Sequence, residues 1–199
     1  MGIDPPQLDP DPLRQLQAWL DEAHAAGQTL PESFALATAD ATGAPSVRMV
    51  LLRGIGPDGL RFYGDLRSRK ARDLAANPRA AAVFHFAGLS RQARASGLVE
   101  PVPRDEAEQY FASRPRGHRL SAWASHQGQP VRDRSQLEAS VRALEERYPG
   151  DVPLPPTWGG FRLLADRVEF WVSREERLHD RAEYRREPNG SWTRRRLQP

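Results

Sequence analysis

The chain is predicted to be mainly β, an antiparallel barrel with peripheral helices, on three observations. Short runs rich in Val, Phe, Leu and Ala alternate with Gly-, Pro- and Asp-containing turns through the first half of the chain. Helical patterns are confined to the N-terminus, a short stretch after residue 67 and the interval 104–148. Strand-like runs then resume from residue 161 to the C-terminus, so helices are inserted late into a β framework. At 199 residues the chain reads as one domain, 1–199, with residues 1–10 flexible.

Asp11-Pro12 ahead of Leu13, Leu16, Trp19, Leu20 and Ala23 is an N-cap, a proline at the first helical position and an apolar stripe; Gly27 closes this helix. Phe34 to Ala39 reads as a strand, Asp40 to Gly43 as a turn, and Ser46 to Arg53 as a second strand rich in Val, Met and Leu. Gly56-Pro-Asp-Gly59 turns the chain and Leu60 to Tyr63 pairs back, an antiparallel meander. A short helix is expected from Ser68 to Ala76, stopped by Asn77-Pro78, because the residue before proline is pushed out of helical backbone. Ala80 to Phe86 and Gln92 to Val102 follow as strands. Arg104 to Ala112, Leu120 to Ser125 and Ser135 to Tyr148 read as helices, the last with Leu137, Val141 and Leu144 in one stripe. Pro153 to Gly160 reads as a rigid, non-helical linker, and 161–164, 167–172 and 192–197 complete a sheet of five to seven strands.

Composition narrows the function. There is no cysteine, so neither a disulfide framework nor a thiolate metal site is possible. The N-terminus lacks the basic and apolar regions of a secretory signal, and no run approaches the roughly 18 apolar residues of a membrane span; a soluble, cytoplasmic protein is expected. Lys70 is the one lysine among 29 basic residues, yet the net charge is only +3. The arginines are mixed with acids rather than gathered into blocks, which argues against nucleic acid as a partner.

Four clusters could carry chemistry. Arg177, His179 and Arg181 alternate beside Phe170-Trp171; in extended backbone they share a face, a donor-rich wall suited to an anion, with a solvated edge strand as the competing reading. Ser68 as an N-cap places Arg69, Lys70 and Arg72 in the first turn of a helix. Cations there oppose the helix dipole, which makes sense if an anion binds at that end; neutralisation by Asp65 and Asp73 is the alternative. Arg48 and Arg53 bracket an apolar strand and by alternation face opposite sides, so at least one reaches an interior or an interface. Tyr110 and Arg114 stand four apart on one helical face, suited to a second phosphate or an ordinary surface pair. No nucleophile elbow, Walker loop, dinucleotide glycine fingerprint or metal-ligand spacing is present, and His24, His85 and His126 read as structural or exposed. No metal site is expected; an enzyme built on this sequence needs a cofactor to carry the chemistry.

The order of these residues resembles the pyridoxine (pyridoxamine) 5′-phosphate oxidase family. The resemblance rests on Arg48-Met-Val-Leu-Leu52, Phe62-Tyr63, Ser68-Arg-Lys70, Asn77-Pro78, Arg91-Gln92, Tyr110-Phe111 with Ser113-Arg-Pro-Arg116, and Ala122-Trp123 with Ser125 and Gln127. It continues through Pro153-Leu-Pro155, Trp158-Gly-Gly160, Glu169-Phe-Trp171, Arg177-Leu-His-Asp-Arg181 and Arg196-Leu-Gln-Pro199, and so runs from about Asp11 to the C-terminus.

This resemblance implies an FMN-binding split β-barrel, a homodimer with each flavin between subunits. By position, Arg48, Met49, Val50, Leu51, Leu52 and Arg53 would line the flavin, with Arg48, Arg69 and Lys70 on its phosphate. Tyr63, Gly64, Gln92, Gln127, Gly128, Trp171 and Arg181 would complete the cofactor site. Arg53, Tyr110, Arg114 and His118 fall where the substrate phosphate is gripped; Arg177 and His179, the implied catalytic pair, fall beside the pyridine ring and its reacting C4′ carbon. The implied reaction oxidises pyridoxamine or pyridoxine 5′-phosphate to pyridoxal 5′-phosphate, with dioxygen as acceptor and hydrogen peroxide as product. Rival readings are a related flavin oxidase acting on another ring, as in the phenazine pathway, and a flavin-binding protein without catalysis. Departures from the family pattern touch the substrate end most: Arg53 stands where lysine is usual, His118 where a small hydroxyl residue is common, and Gly64 and Gly128 remove hydroxyls near the flavin. Arg67 replaces a small residue before Ser68.

Overall fold

The computed structural model describes residues 3–57 and 59–199. Helix α1 (Pro12–Ala25) begins where its cap dictates: the Leu13 N–H donates to the Asp11 carboxylate at 2.9 Å, and Pro12 occupies a position that needs no donor. Its buried stripe of Leu13, Leu16, Trp19, Leu20 and Ala23 enters the main core, where Trp19 meets Phe86 and Phe170 edge-on at 6.1 and 4.8 Å.

That core lies against one antiparallel sheet, nine-stranded among the described residues: β1 (Ser33–Ala39), β2 (Pro45–Leu51), β3 (Gly54–Gly56), β4 (Gly59–Asp65), β5 (Arg79–Phe86), β6 (Arg91–Pro101), β7 (Trp158–Val172), β8 (Asp180–Arg186) and β9 (Trp192–Arg196). The order is β2-β1-β5-β6-β7-β4-β3, with β8 beside β7 and β9 beside β8. Strand β7 organises the whole. Along one edge it pairs with β6; on the other its first half pairs with β4 and its second half with β8. Between those halves the register shifts opposite Ser96/Gly97, leaving Asp166 unpaired as a bulge, which bends the strand and curls the sheet into a half-barrel. Gly97 is required there, since a Cβ would lie 1.9 Å from the Leu164 carbonyl oxygen. Alternation on β1 buries Phe34, Leu36 and Thr38, and Phe34 stacks on Phe84 at 4.9 Å.

Among the described residues four further helices lie outside the sheet: α2 (Arg69–Ala76), α3 (Arg104–Ser113), α4 (Arg116–Ala124) and α5 (Arg134–Arg147). A second, smaller core of Val102, Ala107, Phe111, Leu154 and Trp158 seats α3 on the start of β7. Arg104 fixes the intervening segment, donating to the carbonyls of Trp158, Leu154 and Pro155 at 2.8, 3.3 and 3.0 Å. No helix of the described residues is long and apolar enough to cross a membrane.

Several boundaries differ from expectation. The strand expected over 46–53 ends at Leu51, because Leu52 turns into the core, and a separate β3 follows. The runs 161–164 and 167–172 are one strand with a bulge, and it starts inside the expected linker, at Trp158. Helix α4 begins at Arg116, four residues before the expected start. Asp58, in the expected Gly56–Gly59 turn, lies outside the described residues, as do Met1 and Gly2. Residues 3–10, expected to be flexible, are packed. Ile3 and Leu8 are buried, and Arg194 donates to the carbonyls of Pro5 and Leu8 at 3.0 and 2.7 Å.

Candidate active site

A cleft of about 980 Å³ opens between β2, the end of β4, the start of α2 and the α3–α4 corner. It brings together Arg48, Met49, Val50, Leu51, Arg53, Tyr63, Gly64, Arg69, Lys70, Tyr110, Arg114, His118, Gln127 and Gly128. Arg48 and Arg53 share it despite the alternation of β2, because the chain leaves extended pairing at Leu52 and swings Arg53 round. Leu52 itself is buried in the main core and does not line the cleft.

One end of the cleft is cationic. Lys70, 6% exposed, donates from Nζ to Gln127 Oε1 at 2.7 Å and to Ser68 Oγ at 3.1 Å, and makes no ion pair among the described residues. Burial and the neighbouring Arg48 push its pKa below that of a free lysine, with Asp65 acting weakly the other way. Ser68 therefore does not cap α2 with its side chain; the hydroxyl serves Lys70 instead. Gly64 leaves the ammonium room, since a Cβ there would sit 3.1 Å from Nζ. Arg48 donates to Leu36 O at 3.1 Å, Thr38 Oγ1 at 2.8 Å and Ser46 Oγ at 2.6 Å. The buried Asp73 accepts from Thr38 Oγ1 at 2.6 Å and lies 3.7 Å from Arg48 and 4.0 Å from Arg69. Asp65 is drawn off by Arg67 at 2.8 Å. Asp73 therefore serves Arg48 and Arg69, while Lys70 feels only the charge of Asp65, which is itself paired with Arg67, so the expected neutralisation by Asp65 and Asp73 is incomplete.

The other end is aromatic. Tyr63, Tyr110 and Trp158 stack nearly parallel, with 4.1 Å between the tyrosine rings, and Arg114 lies 4.9 Å over Trp158. Gly160 lets the wall form, because a Cβ there would meet the Tyr63 ring at 2.5 Å. Tyr63 donates to Glu106 at 3.2 Å, and Glu106 also accepts from Arg61 at 2.8 Å. Burial and the Glu106 charge push the Tyr63 hydroxyl up to about 12, so it stays a donor. Arg114 has a buried Nη1 with no hydrogen-bond partner. It stands just past the end of α3, extended rather than helical, so Tyr110 and Arg114 meet through the chain's turn and not as a helical pair.

The remaining anticipated residues lie elsewhere on the chain. Gln92, Trp171 and Arg181 are directly paired across β6, β7 and β8, hence on one face of the sheet. His179 lies against Trp171, 4.6 Å between ring centres. Arg177 is not in extended backbone: it ends a short 3-10 turn, Glu175–Arg177, with φ of 62°, so the expected alternation of Arg177, His179 and Arg181 along one strand does not hold. Arg181 donates to Glu169 from Nε at 3.0 Å and from Nη2 at 3.1 Å, and to Gln198 O at 2.8 Å. None of Gln92, Trp171, Arg177, His179 and Arg181 lines the cleft of its own chain.

Sequence reasoning assigned no site role to Glu106, nor to Trp158 and Arg67, which entered only through the family pattern. Trp158 was read as linker; its place in the aromatic wall depends on a pairing with Asp65 across β4 and β7 that no local pattern announces. Arg67 holds the 125–128 loop over the cleft, donating to Ser125 O at 3.1 Å. Its two-residue spacing from Asp65 was the available signal.

Comparison with known proteins decides the family. The pattern described as pyridoxamine 5′-phosphate oxidase matches residues 20–148, and the pyridoxine 5′-phosphate oxidase C-terminal dimerisation region matches residues 158–199. This chain belongs to the pyridoxamine 5′-phosphate oxidase family. It is 48% identical over 198 residues to pyridoxine/pyridoxamine 5′-phosphate oxidase 1 of Ralstonia nicotianae, covering 100% of this chain and 93% of the relative. It is 50% identical over 196 residues to the pyridoxine/pyridoxamine 5′-phosphate oxidase of Anaeromyxobacter dehalogenans, covering 98% of each. Among solved structures, PhzG from Burkholderia lata, in complex with tetrahydrophenazine-1-carboxylic acid, superposes with a TM-score of 0.93 at 30% identity, over 100% of this chain and 98% of that one. A pyridoxamine 5′-phosphate oxidase-related, FMN binding protein from Nostoc punctiforme shares the fold, with a TM-score of 0.80 at 21% identity over 96% and 100% of the two chains. The fold is thus a split barrel of the kind these family members share.

Proposed function

We propose that this chain is an FMN-dependent oxidase that converts pyridoxamine or pyridoxine 5′-phosphate to pyridoxal 5′-phosphate, and that it acts as a homodimer. The observation that carries this reading is Lys70. A buried ammonium with no carboxylate, beside Arg48 and Arg69, is costly in the free protein and is relieved by a phosphate. When bound, FMN supplies hydride acceptance from C4′ and reoxidation by dioxygen, with hydrogen peroxide as product.

The chain's own residues bind and orient. Arg48, Arg69 and Lys70 hold the flavin phosphate, with Gln127 and the main chain at Gly64 and Gly128 beside it. Arg53, Tyr110, Arg114 and His118 hold the substrate phosphate, and the partnerless Nη1 of Arg114 supports that role. Anchoring phosphates far from C4′ fixes the ring at near-attack distance. The face bearing Gln92, Trp171, His179 and Arg181 is supplied by a second copy and closes the cleft, excluding water. The exposure of Val47 and Met49 on β2, 68% and 63%, is consistent with a surface that a second copy covers.

The test is anaerobic addition of pyridoxamine 5′-phosphate to the flavin-loaded protein: bleaching of the flavin and formation of pyridoxal 5′-phosphate are expected, and flavin binding without reduction contradicts the reading. The likeness to PhzG favours a second reading, oxidation of a larger ring without phosphate. That reading requires turnover indifferent to Arg114→Ala.

A further inference from the structure

The loop between β7 and β8 carries Arg177 and His179 and is tied in a way the proposed reaction does not use. At its start the Ser173 N–H donates to Ser90 O at 2.9 Å; within it the Leu178 N–H donates to Glu175 O at 3.2 Å. The turn so closed holds Glu176 and Arg177 at φ of 55° and 62°, left-handed backbone that non-glycine residues keep only when their surroundings enforce it. The enforcing contacts are identifiable. Arg174 Nε and Arg196 Nη1 each donate to Asp180 at 2.8 Å, one to each carboxylate oxygen, and the Ile3 N–H adds a third donor at 3.2 Å. The Arg174 main-chain N–H donates to His179 Nδ1 at 3.1 Å, while Trp171 flanks the imidazole.

A main-chain N–H can only donate, so Nδ1 must offer a lone pair. A neutral imidazole with a lone pair on Nδ1 carries its proton on Nε2. We propose that His179 faces the site solely as an Nε2–H donor, that the Arg174 main chain fixes this tautomer, and that Asp180, acting through Arg174, is a positioning residue for it. Protonating Nδ1 would set two donors against each other, and Nε2 has no free lone pair. His179 is therefore excluded as the acceptor of a substrate proton. Only what it meets rests on the reading above: an oxygen or neutral amine nitrogen on C4′ that can accept, not an ammonium.

The tautomer is testable in the free protein, independently of any reaction. In protein labelled with nitrogen-15 at histidine, the His179 signals are those lost in His179→Gln. The expected signature is a directly bonded proton on Nε2 and none on Nδ1. A proton on Nδ1, or an imidazolium at neutral pH, overturns the proposal. In Asp180→Asn, with the other histidine signals unmoved as the check on folding, His179 is expected to shift toward a mixture of tautomers; an unchanged His179 signature removes Asp180 from the positioning role. Kinetics add a second readout. His179→Gln keeps a donor near Nε2 and is expected to lose less than about tenfold in kcat, whereas His179→Leu loses more. Equal losses of roughly 10²- to 10⁴-fold, the range of a missing general base, would contradict the donor role. Should the protein oxidise neither vitamin phosphate, the resonance result still stands or falls alone.

Discussion

The cleft and the face of β7 and β8 are both crowded with arginine, and they differ in what the arginines touch. On the sheet face, Glu169 and Glu183 stand directly opposite each other, 3% and 0% exposed, each ringed by guanidiniums. Glu169 takes Arg94 and Arg181; Glu183 takes Arg167, Arg185 and Arg195. Burial pushes both carboxyls up, but the hydrogen bonds from these arginines outweigh it and hold both below the usual glutamate range. In the cleft Arg48 and Arg69 share Asp73, Lys70 makes no ion pair among the described residues, and Arg114 keeps an unpartnered buried nitrogen. Where every cation touches a carboxylate the charges build the sheet; where a buried ammonium touches none, the molecule is set to receive an anion.

The sharpest break of this contrast comes at Lys70. Lys70→Ala is expected to weaken FMN about tenfold to a hundredfold, the worth of a hydrogen bond to a charged group, as read by flavin fluorescence quenching. The flavin-free variant should melt no lower than the parent, because the ammonium it loses was buried without a counterion. A large fall in Tm would show that Lys70 is structural.

Glu183→Ala is the mirror experiment. It strands three half-exposed guanidiniums, so a loss of about 1–3 kcal/mol in unfolding free energy is expected, with FMN affinity nearly unchanged. Because the folded carboxyl titrates below 4.5, its contribution is full above that value and is lost as pH falls through the folded pKa. Glu183→Gln should therefore flatten the acid limb of the stability profile, and an unchanged limb would contradict the assignment.

Alkaline titration gives a smaller effect. Lys70 in the free protein loses its proton below the 10.5 of a free lysine, whereas a bound phosphate favours the ammonium. FMN affinity is expected to fall several-fold as pH rises through the window below 10.5, and Lys70→Arg to abolish that fall. Smallest is Arg114→Lys, expected to raise KM for the phosphorylated substrate a few-fold while sparing FMN, since an ammonium keeps the charge but not the stacked plane on Trp158.

Local chemistry made much of this legible. The cap at Asp11, the stripe ending in Ala23 and the Asn77-Pro78 stop fixed α1 and the end of α2 because each is decided within a few residues. Charge crowding around Ser68 pointed to an anion because the cost of those cations is local too. What stayed hidden depends on contacts distant in sequence. The bulge at Asp166 that merges two expected strands is set by Gly97, and the neighbours of Trp158 come from β4. Arg177 left the expected strand because the Arg174–Asp180 pair closes a turn that alternation does not encode. Residues 3–10 read as flexible because their partners, Arg194 and Arg196, lie at the other end of the chain.

The division of one site between two copies of the chain is tested most directly by mixing two defective variants. Lys70→Ala damages the cleft and Arg181→Ala the covering face, and co-refolded heterodimers would carry one intact and one doubly damaged site. Bound flavin and peroxide release should recover to about one quarter of the wild-type sites, as random pairing across a two-fold axis requires. Recovery no greater than the sum of the two variants alone would show that the Arg181 face does not complete a partner's cleft.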